Sequence, residues 1–208
     1  MTTETDVVVV YDSSLLITMH KPRISDTVRA VTEHVPTSNQ DDTRMNLVEF
    51  KSHVDDSLTK THSFTTEKQH FLTWIDAVPT ESVTEKSCKF VGKFERKTKF
   101  NRKLYPLANA LVECLTLNWR SSANKLVVLF TDGPPCNLLN NDCCTGSLDL
   151  WEIAGEFKEK GIVLCVVGLE PTMTIYEDFY CALARKTSTK KKKNFFFCFL
   201  NNISFRRW

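Results

Sequence analysis

Lys125-Leu-Val-Val-Leu-Phe-Thr-Asp132-Gly-Pro-Pro135 is a short apolar run that stops abruptly on an acid and a turn. A run this short, rich in Val and Leu and closed by Gly133-Pro134-Pro135, predicts a strand covered on both faces, a central strand of a parallel sheet. Asp132 then stands where a buried strand meets solvent. The pattern repeats near the N-terminus, where Val7-Val8-Val9-Val10-Tyr11 ends on Asp12, followed by Ser13 and Ser14. If the two strands are neighbours, both carboxylates project from the carboxyl edge of the sheet. Open α/β folds place their ligand crevice at that edge.

Working outward, Ile24, Val28, Val31 and Val35 recur at helical spacing, with Pro22 in the preceding loop and Ser25 as a candidate cap. Asn46–Phe50 and Lys60–Thr65 suit a hairpin with an antiparallel strand at one edge of the sheet. Thr66–Ala77 carries Phe71, Leu72 and Ile75 on one helical face with Trp74 alongside, and Pro79 stops it. Leu104–Leu117 is a strongly amphipathic helix. A helix from about Leu148 to Lys160 closes on Gly161, Ile162–Val167 is a further apolar strand, and Tyr176–Arg185 a further helix. Alternating strands and helices predict an α/β fold with a doubly wound, mostly parallel sheet between two helical layers.

The chain has 208 residues, 42% of them hydrophobic and 25% charged, the size and composition of one large globular domain. A formal net charge of +2 is too small to make the whole chain a binder of polyanions. Its positive charge gathers in two stretches. Between Val83 and Lys103, eight lysines and arginines from Lys86 to Lys103 interleave with Phe90, Phe94 and Phe100, as in an insertion; beyond Lys186, Lys190–Lys193 is followed by Phe195-Phe196-Phe197-Cys198-Phe199-Leu200. Residues 188–208 have no period that joins them to the fold. They are expected to be disordered or to derive from a gene-model error. A nucleic-acid or anionic-membrane surface built from these stretches is a third functional reading that the composition fits only loosely, since charge runs are usually solvated.

The polar start, Met1–Asp6, and the brevity of the Val run predict neither signal peptide nor membrane span. Eight irregularly spaced cysteines in a chain able to build a core predict reduced thiols and a cytoplasmic protein, with Cys114, Cys165 and Cys181 packing on apolar faces. Cys136, Cys143 and Cys144 offer three thiols to zinc, but adjacent cysteines seldom share one tetrahedral ion and no fourth ligand is evident. With six glycines there is no phosphate-cradling Gly-x-Gly-x-x-Gly or Gly-x-x-x-x-Gly-Lys loop and no Gly-x-Ser-x-Gly elbow. His20, His34, His53, His62 and His70 show no metal-binding pairing and are expected at the surface. Enzymatic chemistry is not expected.

Asp12-Ser13-Ser14, the later Thr131-Asp132-Gly133 and the alternating helices between them resemble a von Willebrand factor A (vWA) domain across most of Thr5–Thr187. In detail Asn46–Phe50, Leu117-Asn118-Trp119-Arg120, Asp132–Pro135, Gly161–Pro171 and Asp178–Leu183 are similar to intracellular vWA domains of lower eukaryotes, found alone or with alpha-type protein kinases. The resemblance implies a sheet ordered 3-2-1-4-5-6, its last strand here missing or replaced by the dissimilar tail. It also implies a metal-ion-dependent adhesion site for Mg2+ at the carboxyl edge, built from Asp-x-Ser-x-Ser, a distant Thr and the Asp of Thr-Asp-Gly. Asp12, Ser14 and Asp132 match; Leu16 stands where the second Ser belongs, and Asn101, Arg102 and Lys103 stand where the Thr belongs. The site is thus degenerate, and Lys103 or Arg102 could supply the cation in place of a metal. The functional expectation is a non-enzymatic module that binds a protein partner through this edge. The alternative is a targeting domain of an alpha-type kinase whose catalytic domain lies outside this chain.

Overall fold

The computed structural model describes residues 4–13, 20–34, 42–50, 59–78, 107–133, 149–169, 173–188 and 197–199. They form a sheet of six strands in the order β3-β2-β1-β4-β5-β6, where β1 is Thr5–Asp12, β2 Thr43–Phe50, β3 Thr59–Thr61, β4 Asn124–Thr131, β5 Ile162–Gly168 and β6 Phe197–Phe199. All neighbours are parallel except β2 and β3. The two acid-tipped strands are adjacent, with Val7 opposite Leu126 and Tyr11 opposite Phe130. The fold is therefore α/β with a doubly wound, mostly parallel sheet.

Helices α1 (Lys21–His34) and α2 (Lys68–Ala77) cover one face; α3 (Leu107–Thr116), α4 (Leu150–Glu159) and α5 (Glu177–Thr187) cover the other. Because strand side chains alternate, β1 divides its own run between two cores. Val8 and Val10 pack with Leu111, Phe157 and Tyr180, while Val7, Val9 and Tyr11 pack with Ile24, Phe71 and Ile75. This double burial is why β1 and β4 read as unbroken apolar runs.

Helix α1 begins earlier than its apolar spacing suggests. Pro22 lies inside its first turn, where a missing N–H costs nothing, and Ser25 is not a cap: its hydroxyl donates to Asp76 Oδ1 at 3.3 Å. The cap of α4 is Asp149, whose carboxylate accepts from the Trp151 N–H at 2.7 Å, and Gly161 closes that helix at φ 68°. The hairpin is shorter than expected. Its strand β3 ends at Thr61, and Thr65 meets Met45 as an isolated bridge.

The tail reading needs correction at three residues. Phe197–Phe199 joins the sheet as β6, pairing parallel with Val166–Gly168. Lower on β5 the edge is closed by a side chain, because the buried Thr187 hydroxyl accepts from the Leu164 N–H at 3.0 Å while donating to Ala184 O at 2.8 Å. An otherwise bare strand edge is thereby satisfied. The remainder of residues 189–208 lies outside the described residues, as does the Val83–Lys103 insertion.

At the amino edge of the sheet Asp6 is fully buried, at 0% exposure. Arg44 grips it with Nη2 at 2.7 Å and Nε at 3.0 Å, and Arg120 adds its backbone N–H and its Nε, each at 2.9 Å. Arg120 also donates to Thr5 O and Asp42 O, and Arg44 to Asn118 O. Burial alone would raise the Asp6 pKa; the bonds from Arg44 and Arg120 outweigh it and hold the carboxyl below its ordinary value. With a depressed folded pKa, the stability contributed by Asp6 is complete above the ordinary aspartate range and fades as pH falls through the folded value. Asp6→Asn should cost about 3 kcal/mol near neutral pH, since both arginines keep some contact with water. Urea melts of the two proteins should differ at pH 7 and converge in acid.

Candidate functional site

Asp12 and Asp132 lie where the sequence puts them, at the carboxyl ends of adjoining strands, and both are buried, at 0% and 4% exposure. Each strand end is anchored by its neighbour. Past Asp12, Ser13 donates its N–H and its hydroxyl to Phe50 O, at 2.8 and 3.0 Å, tying β1 to the end of β2. Past β5, the Leu169 N–H donates to Thr131 O at 3.0 Å. The Asp132 turn is held from the helical layer, where the buried Tyr180 of α5 donates its hydroxyl to Gly133 O at 2.7 Å and shares a hydrogen bond with the Thr131 side chain.

The electrostatics place these groups together. Burial pushes the Tyr180 pKa up; the Thr131 hydrogen bond offsets part of this, and the negative charges of Asp12 and Asp132 raise it further. Tyr11 is raised likewise by burial, then by Asp12 and by Glu49. Both phenols are neutral donors at any physiological pH, placed beside carboxylates.

Sequence reasoning missed a second polar group. Glu49, opposite Tyr11 in register, is buried and meets Lys60 Nζ and His62 Nε2, each at 3.1 Å. His62, expected at the surface, is half-buried, and its ring stacks on Trp74 at 4.5 Å between centroids. The usable signal was the hairpin register, which sets Glu49 across from Lys60 as a charge pair. Tyr180 had no comparable signal, because only packing brings α5 over the β4 turn.

Among the described residues no group of three His, Cys, Asp or Glu side chains is arranged to hold a metal ion. Ser14, Leu16, Asn101, Arg102 and Lys103, and the candidate zinc ligands Cys136, Cys143 and Cys144, lie outside the described residues. Of the packing cysteines, Cys114 and Cys165 are buried and Cys181 is partly exposed; all three are free thiols. Among the described residues no helix is long and apolar enough to cross a membrane.

Solved structures show the same fold. The SpRpn10 VWA domain superposes with a TM-score of 0.60 at 11% identity, over 95% of this chain and 87% of that one. Its fold is that of a vWA domain. Proximal thread matrix protein 1 of the mussel byssus, solved with a zinc-occupied MIDAS motif, aligns with a TM-score of 0.59 at 13% identity. The alignment covers 98% of this chain but only 43% of that protein. The pilus adhesin SpaC of Lactobacillus rhamnosus GG gives 0.58 at 12% identity, with 28% of its chain covered. No protein-family model and no curated protein matches the sequence.

Removing the Tyr180 hydroxyl leaves the Gly133 carbonyl buried without that donor. Tyr180→Phe should cost about 1–3 kcal/mol of stability, measured by urea denaturation.

Proposed function

We propose that this vWA fold is a non-enzymatic interaction module that binds a protein partner at the carboxyl edge of its sheet, around a degenerate metal-ion-dependent adhesion site. The observation that carries the reading is the burial of Asp12 and Asp132 at adjoining strand ends. Two carboxylates withdrawn from water side by side repel each other unless donors, a proton or positive charge compensate them, and in our reading a positive charge does so in the crevice above them. The mussel protein's zinc-occupied MIDAS supports a metal in that role in the same fold.

The donor set fits a hard divalent ion only loosely. Asp12 and Asp132 are carboxylate oxygens of the kind Mg2+ takes, Ser14 adds a hydroxyl by sequence, and Leu16 offers no oxygen. A shell completed mostly by water would bind weakly, with a Kd of about 1 mM, the weak end of oxygen-ligand sites. When bound, the ion would supply the positive charge that engages a partner carboxylate. The residues of this chain hold the two acids in place: Ser13 on Phe50, and Tyr180 on Gly133. The competing source of charge is Lys103 or Arg102, from the segment where the family's Thr stands.

In the cytoplasm such a module could also serve as the targeting domain of an alpha-type kinase, with the same edge engaging the target and catalysis residing in a longer product. Recovery of a transcript encoding both domains would test that extension.

Calorimetric titration with Mg2+ and Mn2+ tests the site. The expected outcome is saturable millimolar binding that Asp132→Ala abolishes. Silence in the native chain, with binding gained in Lys103→Ala, would assign the charge to the lysine instead. Partners captured by the native protein and lost selectively with folded Asp132→Ala would place the interaction at this edge; partners retained equally would exclude it.

A further inference from the structure

We propose that the shoulder formed by the first turns of α4 and α5, next to the carboxyl-edge crevice, docks a basic peptide segment that presents a large apolar side chain. The large hydrophobic side chains left exposed among the described residues are Trp151, at 37%, and Ile175, at 79%. Trp151 stands in the first turn of α4 and Ile175 just before α5. The Trp151 ring meets Phe179 edge-on at 5.6 Å, Phe179 meets Tyr180 edge-on at 5.2 Å, and Ile175 stands one helical turn before Phe179, in the 3-10 turn Met173–Tyr176 that runs into α5. An isolated exposed apolar residue is ordinary. A Trp resting on the partly buried Phe179 and through it on the buried Tyr180, with a bare Ile at the entry to the same helix, has the make-up of an interface anchor, in which a rigid ring needs little further ordering to bind.

Charge selects the occupant. Glu152 follows Trp151 in α4, and Glu177 and Asp178 precede Phe179 in the first turn of α5; the basic side chains Lys158, Arg185 and Lys186 stand in the last turns. Lys186 alone reaches back, its Nζ 5.8 Å from the Trp151 ring centroid. Helix dipoles account for acids at these N-termini, but they do not account for Trp151 and Ile175 being left in water beside them. A partner with Lys or Arg flanking an aliphatic or aromatic residue satisfies both features. Nucleic acids and anionic membranes meet like charge there. The surface does not depend on the metal reading, since neither Asp12 nor Asp132 contributes to it.

The probe is a fluorescein-labelled peptide with the sequence of residues 200–208, Leu-Asn-Asn-Ile-Ser-Phe-Arg-Arg-Trp, which has this chemistry. It is titrated into the full chain and followed by anisotropy. The expected result is saturable binding that weakens as salt rises. Trp151→Ala should weaken it about tenfold or more. Ile175→Glu, on a side chain exposed enough to spare the fold, should weaken it several-fold, and Arg29→Ala, on the opposite helical layer, should leave it unchanged. Absence of saturable binding, indifference to both Trp151→Ala and Ile175→Glu, or equal binding of a peptide carrying Arg206→Glu and Arg207→Glu would overturn the proposal. Binding that develops only after residues 200–208 are removed from the protein would overturn the assignment to a partner in favour of the chain's own tail.

Discussion

Asp6 sits at the amino edge of the sheet with no access to water, and it ties together three separate parts of the chain. Arg44 comes from β2, Arg120 from the turn before β4, and the carboxylate itself from β1. The arrangement joins the three central strands at one end, and it accounts for the Asn118-Trp119-Arg120 segment that precedes β4. Trp119 donates its indole N–H to Cys114 O at 2.7 Å and packs edge-on against Phe64, over whose ring the Arg44 guanidinium lies at 4.6 Å. Within the cluster Arg44 and Arg120 are about one-fifth exposed, while the Asp6 carboxylate is fully buried. Its burial favours a structural role, because a buried charge with several fixed donors is costly to disturb and slow to rearrange.

With one edge committed to structure and both faces of the sheet covered by helices, the carboxyl edge is where we propose that recognition takes place. Its acids are held by short bonds from outside their own strands: Ser13 to Phe50, Leu169 to Thr131, and Tyr180 to Gly133. A site built this way is rigid in its floor while its upper loops can vary in sequence, which is how one fold serves many partners. The SpRpn10 domain, a mussel byssus protein and a bacterial pilus adhesin share this architecture with identities of 11–13%, so what they have in common with this chain is the fold.

Much of that edge was legible from residue order. An apolar run ending in Asp12, and a second ending in Asp132, locate two buried strands and two acids without any tertiary knowledge, because only a strand covered on both faces is apolar at every position. The end of α4 at Gly161 and the Glu49 hairpin were readable for similar local reasons. The anchoring group was not. Tyr180 is one of two adjacent aromatics on an amphipathic helix, and its bond to Gly133 spans 47 positions of the chain. His62 gave a misleading signal, since a polar residue in a short edge strand reads as solvated until Trp74 of α2 is seen to cover it.

The sequence by itself determined the class of fold, the adjacency of helices and strands along the chain, and the identity of the two acids that end β1 and β4, all of which follow from local periodicity and turn chemistry. Tertiary structure alone decided which groups stand beside those acids and how the strand edges close. Strand pairing across more than a hundred positions brings Arg120 to Asp6, and helix packing brings Tyr180 to the Asp132 turn and Thr187 to the open edge of β5. The physical reason is the range of the forces involved. Backbone propensity and apolar spacing act over a few residues, whereas a buried hydrogen bond is specified only when distant elements have already packed.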